Sequence, residues 1–268
     1  MKTANARMTR TKVAFAAGCI AIAAPQFALS QVPLGTAQTY GVLGASTVTN
    51  TGPTVINGDL GVSPGSAVTG FPPGIVTGTV HAADAAALQA QTDATAAYNF
   101  LASQPCGTTL TGDLGGRTLT PGVYCYSSSA QLTGTVTLDA LGSPSGLFIF
   151  QVGSALTTAS NSRVVLTNGA QACNVFWQLG SSATLGTSTA FAGTLIALAS
   201  DTLNTGATLA GRALARTGAV TLDSSAVTAC AGTVGSIAIP TLSQWGVFIL
   251  AILVALSALV AIRRRARP

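Results

Sequence analysis

The chain has 268 residues, and only 7% of them are charged, against roughly 25% in an average soluble protein. Eight of its twelve Lys and Arg residues lie at the two ends, so the body carries four Arg, seven Asp and one His, with no Lys and no Glu. This composition excludes a basic nucleic-acid footprint, which needs clustered Lys and Arg, and leaves little from which an acid–base centre could be built.

Residues 1–30 have the pattern of a secretory signal peptide. A basic start ends at Lys12, an apolar run covers 13–24, and small residues precede a predicted cleavage after Ser30. An N-terminal membrane anchor is the alternative, but a run of about twelve residues is short for a bilayer. Cys19 also offers a weak lipoprotein cleavage site. The predicted mature domain covers residues 31–236.

The first half of the body changes character along the chain. Residues 36–80 are rich in Thr, Val and Gly and contain several Pro-Gly turns, which predicts short strands. The segment of about 82–103 is dominated by Ala, Leu and Gln and contains neither Gly nor Pro, which predicts a long helix. The predicted inner stripe is thin, so we expect the helix to lie along a surface. It consists of Leu88, Gln91, Thr95, Tyr98 and Leu101 or Ala102.

Four cysteines remain once Cys19 is removed with the signal peptide, and an even number in an exported chain indicates disulfides. Three pairings are possible. We favour Cys106–Cys125, which closes a local loop, and Cys173–Cys230, which would tie the end of the domain to an earlier loop. A zinc site is disfavoured because no two of these cysteines are closely spaced.

Strands return after residue 110 with a loose internal repeat. Corresponding segments begin at Phe150, Trp177, Ile196 and Ala213, and the later ones are about 18 residues apart. This period suits three short strands per coil, so it predicts a three-sided β-solenoid that buries Val, Leu, Ile and Phe. A β-sandwich would space its strands similarly, but it would not predict the recurring Thr-Leu pattern.

The repeats place a tetrapeptide rich in Thr, Ser and Ala at corresponding positions. Stacked coils would hold equivalent residues about 4.8 Å apart, and β-branched Thr is stiff at χ1. Such an array suits an ordered, uncharged partner such as ordered water or a crystalline polysaccharide, although Thr also fills exposed strand positions through its propensity alone. The predicted binding residues are Thr51, Thr54, Thr158, Asn161, Thr187, Thr189, Thr205, Thr208, Thr221 and Ser224.

Residues 237–268 form a tripartite tail. IPTLSQWG is followed by an apolar run over 247–262 and by an Arg cluster. Sixteen residues span about 24 Å, slightly short of a bilayer core unless Trp245 and Gly246 join, and the Arg cluster should stay cytoplasmic. The tail resembles the bacterial IPTL-type sorting signal, which implies an exosortase-like processing enzyme as a partner and export to a Gram-negative envelope, with the product anchored or secreted. A plain transmembrane anchor is the alternative.

Four blocks of the body are similar to the microbial ice-binding protein family. They are STVTNTGPTVINGDLGVSPGSAVTGFPPG, HAADAAALQAQTDATAAYN, LTGDLGGRTLTPGVYCYSSSAQLTGTVTLDA and QACNVFWQLGSSATLGTSTAFAGTLIALASDTLNTGATLAGRALARTGAVTLD. The resemblance covers roughly residues 34–230. It implies a mainly β fold, a right-handed, three-sided, discontinuous β-solenoid with one long helix alongside, and ice as the partner of one flat face.

Several members of that family carry T-A/G-x-T/N motifs on the ice-binding face. The tetrapeptides 51–54, 158–161 and 205–208 fit this pattern. The tetrapeptide 187–190 departs at its second and fourth positions, and 224–227 departs throughout. The resemblance therefore implies that these segments share one face, and it leaves the strength of any activity open.

Two competing hypotheses belong to other classes: a surface adhesin or matrix protein of the same fold without strong ice activity, and an enzyme. β-Solenoid enzymes that cleave polysaccharides usually need grouped carboxylates. Asp59 and Asp113, however, lie in recurring GDLG turns that they are expected to cap, and Asp84 suits the positive end of the helix. We therefore predict no catalytic site, no cofactor and no metal.

Overall fold

The computed structural model describes residues 32–230, and this part of the chain is mainly β, with one α-helix. Before the helix, the chain forms β1 (Tyr40–Gly44), β2 (Thr47–Thr51), β3 (Val55–Asn57), β4 (Asp59–Val62), β5 (Ala67–Thr69), β6 (Ile75–Val76) and β7 (Val80–Ala82). The helix α1 covers Ala85–Ala102. Single-turn 3-10 helices cover Gly35–Thr39 and Ala172–Asn174.

Fifteen strands follow the helix. They are β8 (Thr108–Thr109), β9 (Thr118–Leu119), β10 (Gly122–Tyr126), β11 (Ala130–Leu132), β12 (Thr135–Asp139), β13 (Phe148–Val152), β14 (Leu156–Thr158), β15 (Arg163–Thr167), β16 (Val175–Leu179), β17 (Ala183–Leu185), β18 (Ala190–Ala197), β19 (Asp201–Leu203), β20 (Thr208–Ala215), β21 (Val220–Asp223) and β22 (Ala226–Thr228). Within residues 32–230, no helix is long and apolar enough to cross a membrane. The predicted signal peptide and the tail segment 247–262 lie outside the described residues.

Successive strands visit three sides of a coil in turn and pair in parallel with the strands of neighbouring coils. We name the sides by their strands. The helix face contains β1, β4, β7, β8, β10, β13, β16 and the second halves of β18 and β20. The seven-stranded face has the order β11-β14-β17-β19-β21-β2-β5. The third face contains β3, β6, β9, β12, β15, β22 and the first halves of β18 and β20.

Glycines make the corner between the third face and the helix face. Gly193 and Gly211 have φ of 113° and 153°, in the region that L side chains rarely adopt. A Cβ on Gly211 would lie 1.9 Å from the carbonyl oxygen of Gly193 in the neighbouring coil. The two coils can therefore stack at this corner only because neither residue has a side chain.

The order of the coils in space differs from their order in the chain. β1 pairs with β20, β2 with β21 and β3 with β22, so the first coils stack on the last ones. The chain then returns through α1 to β8, at the opposite end of the sheet. The 18 residues of α1 span about 27 Å, the height of roughly five or six coils.

The helix begins at Asp84, whose carboxylate accepts a hydrogen bond from the amide of Ala87 at 2.8 Å. Of the predicted stripe, Gln91 and Leu101 are buried, whereas Leu88 is 58% exposed. Small residues, which allow a helix to approach a sheet closely, are buried beside them: Ala87, Ala90, Ala94 and Ala97. They cover the apolar residues of the helix face, including Leu43, Ile149, Phe176, Ile196 and Leu214.

The interior is filled by stacked equivalent residues from successive coils. The rings of Tyr124, Phe150 and Trp177 stack with centroid distances of 5.4 and 3.8 Å. The indole nitrogen of Trp177 donates a hydrogen bond to the carbonyl oxygen of Ala192 at 3.1 Å, which satisfies its polar group inside the core.

The predicted disulfide between Cys106 and Cys125 is confirmed. It fastens the segment that follows α1 to β10, next to the end of the helix face. The sulfurs of Cys173 and Cys230 are not bonded to each other in this structure. Their pairing remains a prediction.

Candidate functional site

The seven-stranded face presents one outward-facing threonine on each of six neighbouring strands. In five of the six strands both flanking residues are buried, as in Val220-Thr221-Leu222, so the alternation of the strand points the threonine away from the core. The six residues are in register, and we call them the threonine ladder: Thr157, Thr184, Thr202, Thr221, Thr49 and Thr69. Gln131 continues the row on the seventh strand.

A second row of small residues lies beside the ladder, two positions earlier in the sequence and at or just before the start of each strand. It consists of Ala155, Ser182, Ser200, Ala219, Thr47 and Ala67. These two rows contain no charged side chain. Neighbouring strands are about 4.8 Å apart and alternate residues of one strand about 6.7 Å apart. The seven strands therefore hold a flat, uncharged lattice about 29 Å long.

The opposite border of the seven-stranded face is more polar. Thr51 and Asp223 are paired in neighbouring strands there. The hydroxyl of Thr205, which is exposed, donates a hydrogen bond to the carboxylate of Asp223. The border thus places the Asp223 carboxylate at the edge of the lattice.

The repeated tetrapeptides form the corner between the seven-stranded face and the third face. One residue of each has a positive φ: 60° at Asn161, 57° at Ser188, 73° at Gly206, 47° at Ser224 and 76° at Gly52. Gly and Asn adopt this left-handed conformation most readily. Backbone hydrogen bonds stack these corners, for example from the Asn161 amide to the Thr187 carbonyl oxygen at 2.9 Å. The sequence repeat is therefore mainly the signature of a turn.

Three predicted binding residues are buried, so their assignment to the surface is wrong. Thr54 and Thr189 are fully buried and Thr158 is 3% exposed. The hydroxyls of Thr158 and Thr189 lie 2.9 Å apart, and that of Thr158 accepts a hydrogen bond from the Gly186 amide at 2.8 Å. The hydroxyl of Thr54 likewise accepts one from the Ser225 amide at 3.0 Å. Side chains beside the corner turn inward, where their hydroxyls satisfy backbone groups.

The other predicted residues do not form a single row. Asn161, Thr187 and Thr205 are exposed at the corner. Thr208 is exposed but begins β20 on the third face. Of the ten predicted residues, Thr221 belongs to the ladder, whereas Thr51 and Ser224 lie at its polar border. The sequence signal of the ladder is a threonine at the outward position of a strand, with an inward-facing residue on each side of it. Examples are Ala183-Thr184-Leu185 and Val48-Thr49-Asn50.

Of the two GDLG aspartates, Asp113 caps its turn as predicted, whereas Asp59 begins β4 and bonds to a neighbouring coil. An Oδ1 atom of Asp113 accepts hydrogen bonds from the amides of Gly115 and Thr133, at 2.6 and 2.9 Å. Asp59 accepts one from the amide of Thr79 at 2.8 Å. His81 contacts the helix-capping Asp84 at 2.7 Å. Within residues 32–230, no three His, Cys, Asp or Glu side chains are placed to hold a metal ion together.

Comparison with known proteins gives consistent matches over the same part of the chain. A family model described as ice-binding-like matches residues 42–228, and a model of the IPTL-CTERM motif matches residues 237–266. An ice-binding protein of Nostoc sp. (strain HG1) is 63% identical over 196 residues, which cover 72% of each chain. One from Flavobacterium frigoris (strain PS1) is 35% identical over 216 residues, covering 75% of this chain and 77% of that one.

Solved structures agree with this fold. The crystal structure of an ice-binding protein from an Antarctic biological consortium is 50% identical, with a TM-score of 0.74, and covers 77% of this chain and 95% of that one. The structure of an ice-binding protein from the Antarctic ascomycete Antarctomyces psychrotrophicus is 43% identical, with a TM-score of 0.74, and covers 75% and 99%. Because the family model and these relatives span most of the described coils and their helix, the chain belongs to the ice-binding-like family.

Proposed function

We propose that this protein binds ice through the seven-stranded face and thereby inhibits ice growth or recrystallisation. The observation that carries the proposal is the threonine ladder, six outward threonines in register on neighbouring parallel strands. Membership of the ice-binding-like family supports it. The predicted corner residues Thr51, Asn161, Thr187, Thr205 and Ser224 would then flank this surface rather than form it.

The chemistry of the ladder fits an ordered, uncharged lattice of water. Each threonine offers a hydroxyl that donates and accepts hydrogen bonds, together with a methyl group that needs no hydrogen bond. Its β-branched side chain has few rotamers to lose on binding, and the paired strands fix its position beforehand. A charged side chain on these rows would keep its own hydration shell, and the two rows of the ladder and its small neighbours contain none.

We infer that the domain acts outside the cytoplasm. The predicted signal peptide 1–30 and the IPTL-CTERM match support export and processing by a sorting enzyme of a bacterial, Gram-negative envelope. We further infer a right-handed coil, the hand of nearly all crossovers between parallel strands of one sheet. Mass spectrometry of the protein from its native cell should find Gln31 at the N-terminus and a chain that ends near IPTLSQWG. An intact 1–30 segment would contradict export by cleavage.

Substitution at the centre of the ladder tests the proposed face. Thr202→Tyr should remove most of the thermal hysteresis and recrystallisation inhibition, because one protruding ring holds the neighbouring threonines away from the ice plane. The free energy of unfolding should change by only about 0.5 kcal/mol, as is typical of surface positions. Circular dichroism and the melting temperature report whether the fold is retained.

Thr208→Tyr is the matched control, since it introduces the same ring on the third face. We expect this variant to keep full activity. Loss of activity in Thr208→Tyr but not in Thr202→Tyr would move the site to the third face. A wild-type protein that is folded but has neither hysteresis nor recrystallisation inhibition would refute ice binding and favour the adhesin hypothesis.

A further inference from the structure

Cys230 lies just after the last strand of the coils, two positions beyond β22. The IPTL-CTERM match begins at residue 237. Arg212, which is almost fully buried, holds this point in place. Its guanidinium donates to the carbonyl oxygen of Cys230 at 2.6 Å and, through two nitrogens, to the carbonyl oxygen of Gln38 at 2.9 and 2.7 Å.

Cys173 lies in contact with this junction although it is far away in the sequence. It belongs to the 3-10 helix Ala172–Asn174, which precedes β16 and packs against β18 and β20. The thiol of Cys230 is hydrogen-bonded to Cys173. A nitrogen of Arg212 lies 3.8 Å from the same Cys230 sulfur. The fold thus brings two thiols and one buried cation together at the exit of the domain.

We propose that Cys173 and Cys230 are a disulfide-forming pair that fastens the exit of the C-terminal segment to the body of the solenoid. The oxidant is a disulfide of the compartment that receives the exported chain, either a small molecule such as oxidised glutathione or a thiol–disulfide oxidoreductase. Where the tail is held at the cell surface, any pull on the domain is applied at this junction. The bond would prevent β22 from separating from its neighbouring strands β20 and β3 under that force.

The reaction is a two-step thiol–disulfide exchange. Burial, and next the hydrogen bond with Cys173, raise the pKa of Cys230 to about 12, which disfavours attack by Cys230. The first attack on the donor disulfide is therefore assigned to the sulfur of Cys173, which loses its proton. A mixed disulfide forms and one donor thiolate leaves. Cys230 then loses its proton to that thiolate and attacks the Cys173 sulfur, while the Arg212 guanidinium stabilises its negative charge. The second donor thiol leaves, so two cysteine thiols are oxidised and one donor disulfide is reduced to two thiols.

Non-reducing peptide mapping of the exported full chain tests the pair directly. Trypsin cleaves the body after Arg117, Arg163, Arg212 and Arg216. Each of the four cysteines therefore lies on a different peptide. We expect the peptide 164–212 to be linked to the peptide that begins at Thr217. The Cys106–Cys125 link is the internal control for oxidising conditions. A protein with that link intact, but with alkylated thiols at Cys173 and Cys230, would overturn the proposal.

Thermal unfolding measures what the bond does. The chain-entropy model for a loop of about 57 residues, converted with the unfolding entropy of a domain of this size, gives a melting temperature roughly 10 °C lower in the Cys173→Ser/Cys230→Ser variant. Each single variant should fall by a similar amount, since either change abolishes the bond. Equal melting temperatures for wild type and variants would refute the fastening role. If the variants do not fold, the peptide map of the wild type still decides the pairing.

Discussion

Replacing Asp201 with Val should stabilise the domain, and the gain should grow as the pH rises. Asp201 lies in β19 with its side chain fully buried, and neither carboxylate oxygen has a hydrogen-bond partner among the described residues. The residues in register with it on the neighbouring coils are Ala183 and Val220. An aspartate thus occupies a position of the seven-stranded face that its neighbours fill with apolar side chains.

Burial raises the pKa of Asp201 to about 7, because the ionised form has lost its hydration without gaining a partner. Below pH 4 the folded and the unfolded chain both hold the proton, and stability is greatest. Between pH 4 and 7 the unfolded chain releases the proton while the folded chain keeps it, so stability falls as the pH rises. The difference between 3.8 and about 7 corresponds to about 4 kcal/mol, and above pH 7 no further loss follows.

Denaturant unfolding at pH 4, 5.5, 7 and 8.5 measures this effect. Relative to wild type, Asp201→Val should gain about 4 kcal/mol more at pH 8.5 than at pH 4. Asp201→Asn is the matched variant, because it removes the titration but keeps a buried polar group. Its stability difference from wild type should depend on pH in the same way as that of Asp201→Val, but the variant should be less stable than Asp201→Val at every pH. If the stability difference between wild type and both variants is independent of pH, the reasoning about this carboxyl is wrong.

Three further changes should reduce stability; denaturant unfolding measures the first and the third, and circular dichroism the second. Arg212→Met should cost about 3 kcal/mol, because the carbonyl oxygens of Gln38 and Cys230 lose their buried donor; an unchanged midpoint would contradict this anchoring role. Gly211→Ala should prevent correct folding, since its Cβ would lie 1.9 Å from a carbonyl oxygen; a soluble protein with the wild-type circular dichroism spectrum would refute it. Cys106→Ser/Cys125→Ser should cost about 3 kcal/mol through the lost 19-residue link; wild-type stability would show that the link contributes nothing.

The architecture could be inferred from periodicity because each coil of a solenoid repeats the same strands and turns. The spacing of about 18 residues between the segments that begin at Trp177, Ile196 and Ala213 corresponds to successive coils. In β16, β18 and β20 the residues in register are Trp177, Leu195 and Ala213, so the predicted start at Ile196 is one position late. The stacking of the first coils on the last could not be obtained from spacing. It depends on pairings such as Val42 with Ala213, which are remote in the sequence. Only the resemblance to a known family implied that discontinuity.

The helix shows why a correct element can be predicted with only part of its buried side, here Gln91 and Leu101. An apolar stripe that starts at Leu88 assumes that the largest residues face the core. Against a sheet, however, small residues allow the helix to pack more closely. Ala90, Ala94 and Ala97 therefore face the strands, and Leu88 remains 58% exposed. Residue size is thus a poor guide wherever a helix lies on a surface whose own residues supply the bulk.

Threonine serves two purposes in these coils, and composition alone cannot separate them. At the corner, Thr158 and Thr189 turn inward and their hydroxyls bond to each other and to the backbone. This pattern repeats because every coil must make the same turn. On the adjacent strand, Thr184 and Thr202 face outward, where nothing in the fold requires a hydroxyl. A repeated threonine that the turn explains is poor evidence of a binding surface, whereas a repeated threonine that the fold does not need requires another reason. That argument, rather than the strength of the repeat, points to the ladder as the ice-binding row.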